Sequence, residues 1–104
     1  MTVSARYWLR VDADKCLVVC EDAQGELVTA EEFRTEGLGQ NALLWQVADS
    51  VQAVVARAPS YEFIESARDH GLSLRGKEPF PGFSAAIEAR AGYRIVPDSG
   101  GVSP

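Results

Sequence analysis

Three basic residues, Arg57, Arg75 and Lys77, and two serines, Ser60 and Ser84, are the side chains best suited to hold a ligand in this chain. Arg57-Ala58-Pro59-Ser60 precedes one helical pattern. Arg75-Gly76-Lys77 leads through Pro79-Phe80-Pro81-Gly82-Phe83-Ser84 into another. In an open α/β sheet, ligands sit beyond the carboxyl ends of parallel strands, where helix N-termini offer unpaired backbone donors. Gathered at two such ends, these five residues suit an anion. Read blandly, they are solvated edge charges, with Ser60 and Ser84 only capping helices.

Other reactive types are sparse. His70 is the single histidine, beside Asp69 at the end of a helical segment, where the helix dipole favours a cation. No second histidine or suitably placed cysteine completes a metal site around it. Cys16 and Cys20 lie in the apolar run Cys16-Leu17-Val18-Val19-Cys20, which reads as a strand. Residues four apart in a strand share a face but sit roughly 13 Å apart at about 3.3 Å per residue. That is beyond the roughly 7 Å a disulfide spans, so both are expected as buried reduced thiols. There is no Gly-rich phosphate loop and no supported Ser/His/Asp spacing; Glu62, Glu65 and Glu88 fall on polar helix faces.

Trp8 stands between Arg6 and Arg10 on the outward side of an alternating strand. Aromatic and Arg side chains favour the centres of protein interfaces, so these three residues form a second candidate surface, with a homodimer through the meander as the outcome if the third helix or the tail leaves that face open; covering the core is the equal alternative for Trp8.

Composition bounds the partners. The chain has 104 residues, 46% hydrophobic and 24% charged, enough for one globular domain with its own core. Ten Lys and Arg against fifteen Asp and Glu leave a formal charge of -5, which repels phosphate backbones and anionic bilayers. Nucleic acid and membrane are therefore not expected partners. No apolar run approaches the roughly 18 to 20 residues of a membrane span, and no basic N-terminal region precedes an apolar one. The expected location is cytoplasmic.

The elements that must position these residues follow from periodicity. Tyr7-Trp8-Leu9-Arg10-Val11 alternates, Asp12-Ala13-Asp14-Lys15 turns the chain into 16–20, and Asp22-Ala23-Gln24-Gly25 turns it into Glu26-Leu27-Val28 and on to about Glu31. Thr29-Ala30-Glu31-Glu32 also fits a capping box for a short helix. After Gly37-Leu38-Gly39, Asn41 is placed to cap a helix with Leu43, Leu44, Val47 and Val51 at helical spacing. Ala53-Val54-Val55-Ala56 is read as a strand buried on both faces. Then come a helix over 61–70 opened by Pro59-Ser60 and closed by Gly71, a strand over 72–74, a helix over 84–91 stopped by Gly92, and an optional last strand over 93–96. The expected order is β-β-β-α-β-α-β-α in one α/β domain over 1–97. It implies a mixed sheet with an antiparallel meander joined to a parallel side, and 98–104 is expected as a disordered tail.

This order resembles the dinitrogenase iron–molybdenum cofactor biosynthesis family, small ribonuclease-H-like domains that carry or assemble iron–sulfur-based cofactors. The segments that carry the likeness are 52–56, 61–71, 72–75 and 83–92, with 27–33 as third strand. The resemblance implies a ribonuclease-H-like mixed sheet and a carrier of an iron–sulfur or iron–molybdenum cofactor. Members that bind cofactor typically place a His-Phe-Gly segment between the first two strands; this chain has Asp12-Ala13-Asp14-Lys15 there. Ribonuclease-H-like nucleases and transposases share the architecture, and the Val11-Asp12-Ala13-Asp14-Lys15 segment is similar to the acidic end of their first strand. Two-metal chemistry needs carboxylates converging on metals about 4 Å apart. At the end of the expected fourth strand, where a further acid belongs, the chain has Arg57.

Three readings follow. The first is a non-enzymatic binding or carrier domain for a metal-cluster cofactor or other anion, through Arg57, Ser60, Arg75, Lys77 and Ser84. The second is a protein-interaction module, monomeric or dimeric, acting through its sheet face at Trp8, Arg6 and Arg10. The third is a metal-dependent nuclease using Asp12 and Asp14.

Overall fold

Alternating apolar residues build the first three strands as the pattern requires. In the computed structural model, which describes residues 5–58 and 61–97, they are β1 (Ala5–Val11), β2 (Lys15–Asp22) and β3 (Leu27–Arg34). Strand β3 continues three residues past Glu31, and the alternative helix over this stretch does not form. Helices α1 (Gln40–Ala56) and α2 (Tyr61–His70), strand β4 (Leu72–Arg75), helix α3 (Phe83–Ala91) and strand β5 (Ile95–Pro97) complete the order. The expected helix opening at Pro59-Ser60 and the expected tail over 98–104 lie outside the described residues.

The five strands form one mixed sheet in the order β3-β2-β1-β4-β5. Strands β1 and β2 pair antiparallel, as do β2 and β3; β4 runs parallel to both β1 and β5. The α/β class and the mixed sheet therefore match the expectation, and β1 is the central strand.

One element differs. Residues 52–56, expected as a strand, are the last turns of α1. Val54 and Val55 extend the same buried stripe as Leu43, Leu44, Val47 and Val51, and no Gly or Pro interrupts the run before Pro59. A short apolar run cannot be told from a buried helix segment by periodicity alone. The order is thus β-β-β-α-α-β-α-β. Asn41 is not the cap either: Gly39 holds that position without a side-chain bond, and Asn41 Oδ1 accepts from Arg90 of α3 at 3.1 Å.

All three helices contribute to one core on one face of the sheet. It gathers Tyr7 and Leu9, Cys16, Val18 and Cys20, and Leu72 and Leu74 from the strands. Against them pack Val47, Val51 and Val54 of α1, Phe63 and Ala67 of α2, and Phe83 and Ile87 of α3. Each large apolar side chain fully withdrawn from water contributes about 1.5–3 kcal/mol. Two buried hydrogen bonds fix α2 on the central strand: Tyr7 Oη donates to the Phe63 carbonyl at 3.0 Å, and the Ala5 N–H donates to Ser66 Oγ at 3.1 Å. Gly71 ends α2 at φ +75°, and a Cβ there would meet the Arg94 carbonyl oxygen at 2.5 Å. That carbonyl accepts the Leu72 N–H at 2.8 Å, so the glycine lets β4 and the approach to β5 close together.

The opposite face has a different character. Cross-strand partners share a face, so the alternation that sends Tyr7, Leu9, Val18 and Leu74 inward sends Trp8, Leu17, Val19, Ala30 and Ser73 outward. None of these five belongs to the core cluster, and no described helix packs on them.

Candidate functional site

Trp8 occupies the middle of this open face because β1 is the middle strand. The parallel register of β1 and β4 sets Trp8 opposite Ser73 and Arg10 opposite Arg75. From there Arg75 folds back across the indole, with its guanidinium carbon 4.1 Å from the ring centroid and Nη2 3.7 Å from Glu21 Oε1. The indole is half-buried beneath it. Trp8 Nε1 is buried and donates to no acceptor among the described residues.

Around this centre the charges alternate with apolar positions. Arg10 Nε pairs with Asp12 Oδ1 at 3.0 Å, and Lys15 Nζ lies 3.9 Å from Glu32 Oε2. Arg6 and Arg34 are exposed and make no ion pair among the described residues. At the Lys15 end, a cavity of about 370 Å³ is lined by Asp14, Lys15, Glu32, Phe33, Arg34 and Glu36. The surface expected around Trp8, Arg6 and Arg10 is therefore continuous across β1, β2, β3 and β4.

The five residues expected to gather around an anion are not brought together. Arg57 caps the C-terminus of α1, and its Nη2 donates to the Ala30 carbonyl at 3.0 Å and to Glu31 Oε2 at 2.7 Å. Glu31 shares a row with Val18, Leu9 and Leu74, on the helix-covered face, whereas Arg75 points to the open one. Three strand spacings and the sheet itself separate the two arginines. The grouping depended on residues 52–56 forming a strand, which would have put Arg57 at a carboxyl end; as the C-cap of α1 it meets β3 instead. Ser60 lies outside the described residues. Lys77 is exposed in the β4–α3 loop. The Ser84 N–H, in the first turn of α3, donates to Glu78 Oε2 at 2.9 Å, so a carboxylate of the chain itself occupies the place an anion would take.

The remaining reactive side chains have structural surroundings. Asp14 is exposed, and its carbonyl accepts the Thr35 N–H at 3.1 Å. Among the described residues no three His, Cys, Asp or Glu side chains are grouped to hold a metal ion. His70 is exposed at the end of α2. Cys16 and Cys20 are free and buried. Desolvation pushes the Cys16 thiol up to about 12, with Asp12 adding to it, and raises Cys20 as well. Burial, followed by a hydrogen bond with Cys20, holds the Tyr7 phenol above its ordinary value. No described helix is long and apolar enough to cross a membrane.

Glu21, Arg34 and Glu78 had drawn no attention in the sequence. Glu21 and Arg34 become visible only through register, which sets them on the face of Trp8. A carboxylate shortly before a helix start was the available signal for Glu78. No family model matches the chain, and no curated protein is similar to it.

Proposed function

We propose that this protein is a protein-interaction module that engages its partner through the open sheet face centred on Trp8. The observation that carries the reading is the position of Trp8. It is the aromatic that the middle strand turns to the open face of a sheet whose other face alone carries helices, and it is flanked by Arg6, Arg10 and Arg75. Interfaces place Trp and Arg at their centres, inside a ring of near-neutral contacts, and the half-buried Leu17 and Ala30 provide apolar surface beside it. Leaving the buried indole N–H without an acceptor costs about 1–3 kcal/mol. A partner carbonyl or carboxylate that reaches Trp8 Nε1 recovers that bond.

A carrier of a metal-cluster cofactor or other anion finds less support. It asked for Arg57 and Arg75 in one crevice, and they lie on opposite faces of the sheet.

Site-specific photo-crosslinking in a lysate of the native host tests the assignment. Benzoylphenylalanine at position 10, on the open face, is expected to capture a discrete protein, and Trp8→Ala to abolish the capture. The same probe at position 88, exposed on α3, is expected to capture nothing that depends on Trp8. Capture from position 88 alone overturns the proposal.

A further inference from the structure

Strand β3 is an edge of the sheet, and among the described residues no strand pairs with its outer side. We infer that a second copy of the chain pairs there, antiparallel, about a two-fold axis at Phe33, so that Glu32 of each copy faces Arg34 of the other. The free peptide groups follow from the ladder. The Thr35 N–H bonds the Asp14 carbonyl, so residues 29, 31, 33 and 35 turn their peptide groups to β2. Ala30, Glu32 and Arg34 turn theirs outward, and the register shift beside Cys20 and Glu21 ends the regular ladder at Thr29. One outward group is already taken: Arg57 Nη2 donates to the Ala30 carbonyl at 3.0 Å.

That contact and the charges select the register. In a two-fold antiparallel pair, both hydrogen-bonded partners must be outward residues. An axis at Ala30, Glu31 or Glu32 needs the Ala30 carbonyl that Arg57 holds, and the last two also set like carboxylates against each other. An axis at Arg34 sets arginine against arginine, and beyond Arg34 the strand has ended. The axis at Phe33 escapes all of these. It lets the Glu32 and Arg34 peptide groups bond across the edge and leaves Ala30 to Arg57. Arg34 is exposed and makes no ion pair within its own chain among the described residues, whereas Glu32 lies 3.9 Å from Lys15. Across the axis each Arg34 gains a carboxylate, and the two Phe33 side chains meet as a non-hydrogen-bonded pair, the closer kind. The cavity lined by Asp14, Lys15, Glu32, Phe33, Arg34 and Glu36 adjoins this stretch and leaves room for the incoming side chains. Asp14 and Glu36 nearly balance the charge at that end, so the order of Glu32 and Arg34 sets the pairing and no excess of either sign does. At the other edge, β5 is three residues long and includes Pro97, which has no N–H to give, so head-to-tail growth of β3 on β5 has little to hold. The paired sheets share one side, which places the two Trp8 surfaces on a common face.

Sedimentation velocity of the full chain at rising concentration tests the pairing, and a monomer–dimer equilibrium is expected. Arg34→Glu opposes carboxylates across the axis, Glu32→Arg opposes cations, and each should weaken the dimer at least roughly tenfold. Mixed together, the two variants again face opposite charges and should form a heterodimer. Glu32→Arg with Arg34→Glu in one chain should dimerise again. Both positions are exposed, so the thermal midpoints should stay in place. A parent that stays monomeric, a dimer indifferent to either reversal, or a mixture that does not pair overturns the inference. So does a dimer that folded Trp8→Ala abolishes, since that contact would lie on the open face instead of the edge.

Discussion

Arg75 lies over the ring of Trp8 with its guanidinium carbon 4.1 Å from the centroid, and it reaches on toward Glu21. The contact joins two strands that are adjacent in the sheet and distant in the chain. A cation over a Trp face contributes about 0.5–1 kcal/mol when exposed and about 2 when desolvated. Arg75→Ala is therefore expected to cost about 1 kcal/mol in urea unfolding. In a Trp45→Phe background, which leaves Trp8 as the one indole, the same change should shift the fluorescence to longer wavelength. An unshifted spectrum would show that Arg75 does not shield the ring.

Gly71→Ala should be among the costliest single-methyl changes in the chain. It forces an L residue to φ +75° and pushes a carbon toward the Arg94 carbonyl that accepts the Leu72 N–H. A loss of about 1–3 kcal/mol is expected, measured as a lower denaturant midpoint. Gly76→Ala, at φ +90° but with open space around it, should cost less.

Arg57→Ala should barely change stability, by less than about 1 kcal/mol, because its ion pair is half exposed. Its effect should appear in association. The Asp12 N–H bonds the Lys15 carbonyl and the Thr35 N–H bonds the Asp14 carbonyl. Carried along β2, that alternation turns the Ala30 carbonyl of β3 away from β2, to the outer edge, where Arg57 covers it. Uncovered edge groups template strand pairing. Light scattering at rising concentration should show the variant growing past a dimer and the parent not.

Alkaline pH should weaken the fold. Burial raises the Cys16 thiol from 9.0 to about 12, and Tyr7 shifts in the same direction. A raised folded-state value means that the neutral form is favoured in the fold. Its stabilisation is complete below about pH 9, where the unfolded thiol titrates, and is lost as pH climbs toward 12. Thermal midpoints should fall over that window, and less steeply in Cys16→Ala. Both thiols should stay inert to a disulfide reagent at pH 8 until denaturant is added.

The meander and its inward thiols were legible because strand alternation is local: each residue of 7–11 and 16–20 declares its face by its neighbours. Helix α2 with Gly71, and α3 with Gly92, were legible for the same reason, since their stop signals stand beside them. The error over 52–56 came from a run too short to show a period, and it propagated to Arg57, whose partner Glu31 lies in another element. Trp8 was recognisable as an outward aromatic between arginines. Its roof was not, because only the pairing of Tyr7 with Leu72 and of Leu9 with Leu74 brings residue 75 within reach.

That pairing also governs when the molecule can finish folding. The central strand is made well before its parallel neighbour, which begins at Leu72. On a ribosome, residues 5–56 can emerge with β1, β2, β3 and α1 in hand while one side of β1 still lacks its strand. Contacts of such long range slow folding, and an unpaired edge held open during synthesis is exposed to aggregation. For this chain the vulnerable interval ends when β4 leaves the exit tunnel.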